Sequence, residues 1–196
     1  MYLITCGASW VNGDYSWVEE VSEDQKLPHT PFLTLDHTDS TAYRMILKNL
    51  FSCDTYTNLS YGGSSNQVQI DLLKELLQKH KDRNDLVVLF GLLPLEHENQ
   101  LEEILSLNIK QLFLFNTICY QPIPNALFSS KDLLSLLSGD NSQVNVKDWE
   151  KCEIYFRKIY KAFKLGLVNL YNHHLTKKAN VMTAHLIFNE IKSRFI

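Results

Sequence analysis

Leu86-Val87-Val88-Leu89-Phe90 is apolar at every position, and this constrains the fold more than any other stretch of the chain. A strand with one wet face alternates apolar and polar residues, whereas a strand covered on both faces has no polar side to show. The run therefore predicts a central strand of a parallel sheet. Leu112-Phe113-Leu114-Phe115, inside a strand predicted over 111–116, repeats the pattern. Two further β-type runs, 2–6 and 55–59, come earlier in the chain. Helical stripes lie between the runs. Tyr43, Ile46, Leu47 and Leu50 form the first, with Asp39 or Ser40 as N-cap. Val68, Leu72, Leu73, Leu76 and Leu77 form the second, capped by Ser64 or Ser65 and ending near Lys81, and a third helix is predicted over 100–107. Strand–helix alternation with short connections means βαβ units and right-handed crossovers.

After Pro124 the pattern becomes helical. A short helix is predicted over 131–137, then a polar loop over 138–145 and a long helix over 148–171. The apolar face of that long helix would carry Trp149, Cys152, Phe156, Ile159, Tyr160, Phe163, Leu167 and Leu170, with the aromatic stripe as core or helix-packing interface. A last helix over 183–195 aligns Ile187, Ile191 and Phe195. With 196 residues and no internal repeat, the chain reads as one domain over 1–196, large enough to bury a core without disulfide or metal staples.

A net charge of −3 gives no electrostatic reason for nucleic acid or an anionic membrane as partner. No apolar stretch approaches the ~20 residues that span a bilayer. The start of the chain lacks the basic-then-apolar pattern of a secretory signal. Cys6, Cys53, Cys119 and Cys152 form no C-x-x-C pair, so they are expected to be reduced thiols of a cytoplasmic protein rather than zinc ligands. No cofactor is expected.

Ligands of open parallel sheets bind outside the carboxyl ends of the strands, where the loops 7–14, 60–66 and 91–99 would meet. Trp10, Tyr15 and Trp17 in the first loop suit either a sugar or acyl-chain platform or simple packing. Glu96, His97 and Glu98 suit the first turn of a helix better than a metal site, because neighbouring residues on one element point in different directions. Gly62-Gly63-Ser64-Ser65 lacks the lysine of a phosphate-binding loop. His173 and His174 at the end of the long helix would complement its dipole.

Gly7-Ala8-Ser9 after the first strand, Asn58-Leu59-Ser60-Tyr61-Gly62-Gly63 after the second, and Thr183-Ala184-His185 near the end resemble three blocks of the GDSL/SGNH esterase–lipase family, in particular its divergent bacteriophage-encoded versions. The resemblance covers the first half of the chain and its last helix. It implies a three-layer α/β/α sandwich of flavodoxin-like character, with a four- to five-stranded parallel sheet and a helical C-terminal third. It also implies Ser9 as nucleophile, with the Ser9 and Gly63 N–H groups holding the oxyanion. Leu93 stands where the family carries an oxyanion-binding amide, which leaves Asn66 as the substitute. Counting back from His185 to the family's histidine and acid positions reaches Ala179 and Thr176, so the imidazole would come from His185, His173 or His174. A serine without a base is a poor nucleophile. The resemblance thus implies hydrolysis of an ester or acetylated carbohydrate by an enzyme that is intact or degenerate. The alternative is a non-catalytic phage structural or host-interaction protein. Its partners would be a small ester or carbohydrate ligand, with a second copy or a virion assembly beside it, in the host cytoplasm or the virion.

Overall fold

The computed structural model describes residues 1–8, 11, 42–60, 62–94, 99–128, 130–144, 152–169 and 173–195. Ser9, Trp10, Tyr15, Trp17, the 96–98 cluster and Trp149 lie outside the described residues. Among those described, the strands are β1 (Tyr2–Gly7), β2 (Thr55–Asn58), β3 (Leu86–Leu92) and β4 (Gln111–Asn116). The helices are α1 (Tyr43–Leu50), α2 (Asn66–Lys79), α3 (Asn99–Ser106), α4 (Leu133–Ser138), α5 (Glu153–Lys164) and α6 (Lys177–Phe195). All strand pairs are parallel, in the order β2-β1-β3-β4. The fold is therefore α/β with an all-parallel sheet, as the two continuous apolar runs require.

Pleating sends alternate residues of each strand to opposite faces, and the core divides accordingly. Leu3, Val87, Leu89, Phe113 and Phe115 join one cluster with apolar residues of α1, α4, α5 and α6. Ile4, Cys6, Val88, Phe90, Leu92 and Leu114 join another with Ile70 and Leu73 of α2 and Ile104 of α3. Each fully buried leucine or isoleucine here contributes about 1.5–3 kcal/mol by leaving water. All four cysteines are free. Burial pushes the Cys6 thiol far up and that of Cys119 to about 12, so both pack as small hydrophobes. Among the described residues, no helix is long and apolar enough to cross a membrane.

Several helical expectations shift. The N-cap of α1 is Ala42, not Asp39 or Ser40, and it makes no side-chain cap bond. Ser65, one of the two candidates, caps α2 by accepting from the Val68 N–H. The buried face of α2 is Asn66, Gln69, Ile70 and Leu73, while Val68 is exposed. A stripe read from apolar residues alone is rotated, because this face begins with two carboxamides. The predicted helix 148–171 is shorter at its end: α5 stops at Lys164, capped by Leu165, and the chain reverses through a bridge between Val168 and Leu175. The last helix starts at Lys177 rather than 183, and packs against α1.

The aromatic stripe expected as core or helix-packing interface stands largely at the surface of the chain. α5 buries Tyr155, Lys158, Ile159 and Ala162, whereas Phe156 and Tyr160 are 46% and 48% exposed. Lys158 sits in that face at 0% exposure because Asp132, the N-cap of α4, and Ser135 satisfy its ammonium group. Periodicity ranked the rings above a lysine, and the tertiary partners of the lysine reversed the order.

Candidate functional site

β1 connects to β2 on one side of the sheet and lies against β3 on the other, so the strand order reverses at the β1–β3 boundary. Crevices at such boundaries, beyond the carboxyl ends of the strands, are where open α/β sheets bind ligands. Here the last paired residues of β1 and β3 are Gly7 and Gly91. Val11 fills the notch between them: a Cβ on Gly7 would lie 2.3 Å from Val11 Cγ2, and one on Gly91 2.5 Å from the same atom. The Val11 N–H donates to the Ala8 carbonyl at 3.0 Å, which holds Val11 against the end of β1.

Side chains from the start of α2 close on Gly7. Its N–H donates to Gln69 Oε1 at 2.9 Å, and its carbonyl accepts from the Ser64 hydroxyl at 3.1 Å. Gln69 Nε2 donates to Ser64 Oγ at 3.1 Å, completing a buried ring of bonds. The ring ties the paired-glycine loop to the end of β1. Gly63, at φ 74, has the left-handed backbone that glycine adopts without strain. It is exposed, and its N–H makes no hydrogen bond among the described residues.

Asn66 reaches from α2 to the end of β3. Its Oδ1 accepts from the Leu93 N–H at 3.1 Å, and its Nδ2 donates to the carbonyls of Leu93 at 3.1 Å and Pro94 at 3.5 Å. The amide is thus committed to holding β3 against α2. On the β2 side, Thr5 donates to Asn58 Oδ1 at 3.0 Å, and the Ser60 hydroxyl bonds the same oxygen. The nearly buried Arg44 donates to the Tyr56 hydroxyl at 3.1 Å, which lies 3.1 Å from Thr5 Oγ1. Burial raises the Tyr56 pKa. Among the described residues the rim is built mainly of neutral amides and hydroxyls that fix one another, with the charged Arg44 beside them.

The histidines lie elsewhere. His185 is on the exposed side of α6, between the buried Ala184 and Ile187. Among the described residues no hydrogen bond joins it to Gly7, Gly63 or Asn66. His173 is not at a helix end, because α5 stops earlier. It occupies the reversal before α6 at φ 58, with Nδ1 3.1 Å from the Tyr155 hydroxyl and its ring against Phe156. Burial lowers its pKa. A helix-dipole role, which needs the protonated form, does not fit that environment. Among the described residues no group of His, Cys, Asp or Glu is arranged to hold a metal ion.

The lowered His173 pKa sets a direction for stability. The folded state resists a proton that the unfolded chain accepts near pH 6.5. This contribution is therefore full above about pH 6.5 and is lost as pH falls through that value toward the lower folded-state pKa. The melting temperature of the wild type should drop over this window more steeply than that of His173→Asn, whose asparagine tolerates φ 58. Equal slopes in thermal melts at stepped pH would remove His173 as the source.

Sequence reasoning missed Ser64 as a clasp and Gln69 altogether. The signal was present in the spacing of Asn66, Gln69, Ile70 and Leu73, which share one helical face. No protein-family model matches the chain, and no curated protein matches it significantly.

Proposed function

We propose that the chain is a three-layer α/β/α sandwich of the SGNH type whose rim binds a small ester or acetylated carbohydrate and hydrolyses it from Ser9. The observation that carries this reading is the Ser64–Gln69 clasp on Gly7, which brings the paired-glycine loop to the residue just before the Ala8-Ser9 step. The division of the core into two clusters on opposite strand faces supports the sandwich. In this reading Ser9 Oγ attacks the ester carbon while the Ser9 and Gly63 N–H groups hold the oxyanion. The alcohol leaves with a proton, and water then releases the acid from the acyl-serine. Preorganised donors of this kind are worth roughly 2.7–4 kcal/mol each. Asn66 keeps β3 in place behind the site.

The Ser9 proton needs a base. His173 is engaged with Tyr155, the half-buried His174 follows it in the reversal before α6, and His185 is exposed on α6, so turnover should be slow. Purified protein should hydrolyse p-nitrophenyl acetate about ten- to a hundredfold faster than its Ser9→Ala variant, far less than the gap in an intact serine hydrolase. Equal rates would end the hydrolytic reading for small esters.

A second reading, a non-catalytic descendant that binds ligand or assembles into a virion, is favoured by one observation. Both ends of the Asn66 amide are already bonded to the β3 terminus, at the place where the family's oxyanion hole needs a free donor. Calorimetric binding of an acetylated oligosaccharide with no release of acetate would support it.

A further inference from the structure

The outer face of α5 carries an arrangement that the rim does not use. Viewed down the helix, Phe163, Phe156 and Tyr160 form one ribbon, and Lys164, Arg157 and Lys161 form the ribbon beside it, at about 100° per residue. Phe156 and Tyr160 are 46% and 48% exposed, and Leu165 beyond the helix end is 52% exposed. The Lys164 ammonium lies 5.0 Å from the Tyr160 ring centroid and 5.8 Å from that of Phe163. Arg157 and Lys161 both bond Asp140, which is itself nearly buried. Lys178 adds a further cation by donating to the Leu165 carbonyl. Glu153 is the one exposed acid of α5. Exposed aromatic surface beside an arginine is the composition of binding surfaces rather than of ordinary solvated faces, and the lysines around it set the sign of the local charge.

We propose that this face docks an acidic segment of another protein, with an apolar side chain of the segment on the Phe156–Tyr160 ribbon and its carboxylates on the neighbouring cations. The charge pattern selects this occupant. A two-fold pairing with a second copy would set the same cations against one another. A short segment senses only charges within a Debye length of about 8 Å.

The test uses the full chain and a fluorescein-labelled peptide in which aspartate and glutamate alternate with leucine and phenylalanine. Anisotropy titration should give saturable binding that weakens as salt rises. The Phe156→Ala/Tyr160→Ala variant should bind about tenfold more weakly, and Lys164→Glu should also lose affinity. Both variants change half-exposed or exposed side chains, and an unchanged thermal melt checks that they fold. A peptide with lysine in place of the acids should not bind. Absence of saturation by ~1 mM peptide, or affinity that neither variant alters, would overturn the proposal. So would tighter binding to phosphatidylserine vesicles than to the peptide, or a dimer of the wild type that the aromatic double variant dissolves.

Discussion

Replacing Lys158 with alanine should cost about 3–5 kcal/mol of folding stability, a large part of what a domain of this size possesses. Lys158 is 0% exposed and Asp132 is 1% exposed. The ammonium lies 3.3 Å from Asp132 Oδ2 and 2.6 Å from Ser135 Oγ. Asp132 also accepts from the Ser135 N–H at 2.7 Å and the Ser135 hydroxyl at 2.6 Å, capping α4. Removing the lysine leaves a buried carboxylate with only neutral donors and opens a void against α4. Lys158→Met refills the void but leaves the charge, so it should fall between wild type and alanine. Adding Asp132→Asn to Lys158→Met removes the stranded charge while keeping an N-cap residue, and the pair should be less destabilised than the sum of the singles. Urea midpoints at constant m-value read these differences. Strict additivity would mean that the two groups do not act as a pair.

Gly7→Ala should cost about 3 kcal/mol or more, and Gly91→Ala about 1–3 kcal/mol. Both new methyls strike Val11 Cγ2. The methyl on Gly7 also meets the Gly91 carbonyl at 2.9 Å, and Gly7 sits at φ 146, where a side chain is strained whatever the space. The methyl on Gly91 meets the Phe115 ring at 2.8 Å instead. Val11→Ala should therefore recover more stability in the Gly91→Ala background than in Gly7→Ala. Equal recovery in the two backgrounds would show that crowding by Val11, and not the backbone of Gly7, sets the cost. If the rim performs the proposed hydrolysis, Gly7→Ala should also abolish it, because Gly7 carries the bonds that hold the glycine loop.

The sheet was legible because a strand covered on both faces cannot hide its apolar content. β4 spans the predicted 111–116, and β3 continues two residues past its apolar run to Leu92, beyond the Gly91 that faces Gly7. The convergence of the loops followed from parallel topology, and the bonds from Ser64, Gln69 and Asn66 bear it out for the residues described. The helix faces were less legible. On α2 two carboxamides take buried positions because the ends of β1 and β3 offer them backbone partners. On α5 a lysine takes one because Asp132 and Ser135 offer it theirs. Those partners lie more than twenty residues away in the chain, and local periodicity carries no information about them.

The identity of β3 and β4 and the parallel arrangement were determined by the chain's own pattern of apolar residues, since burial on both faces demands an unbroken run whatever surrounds it. Which face of each helix turns inward was decided only in three dimensions. A polar group can be buried once a distant group satisfies it, and that exchange is settled by packing. For the same reason Phe156 and Tyr160 of α5, which look like core by composition, lie at the surface.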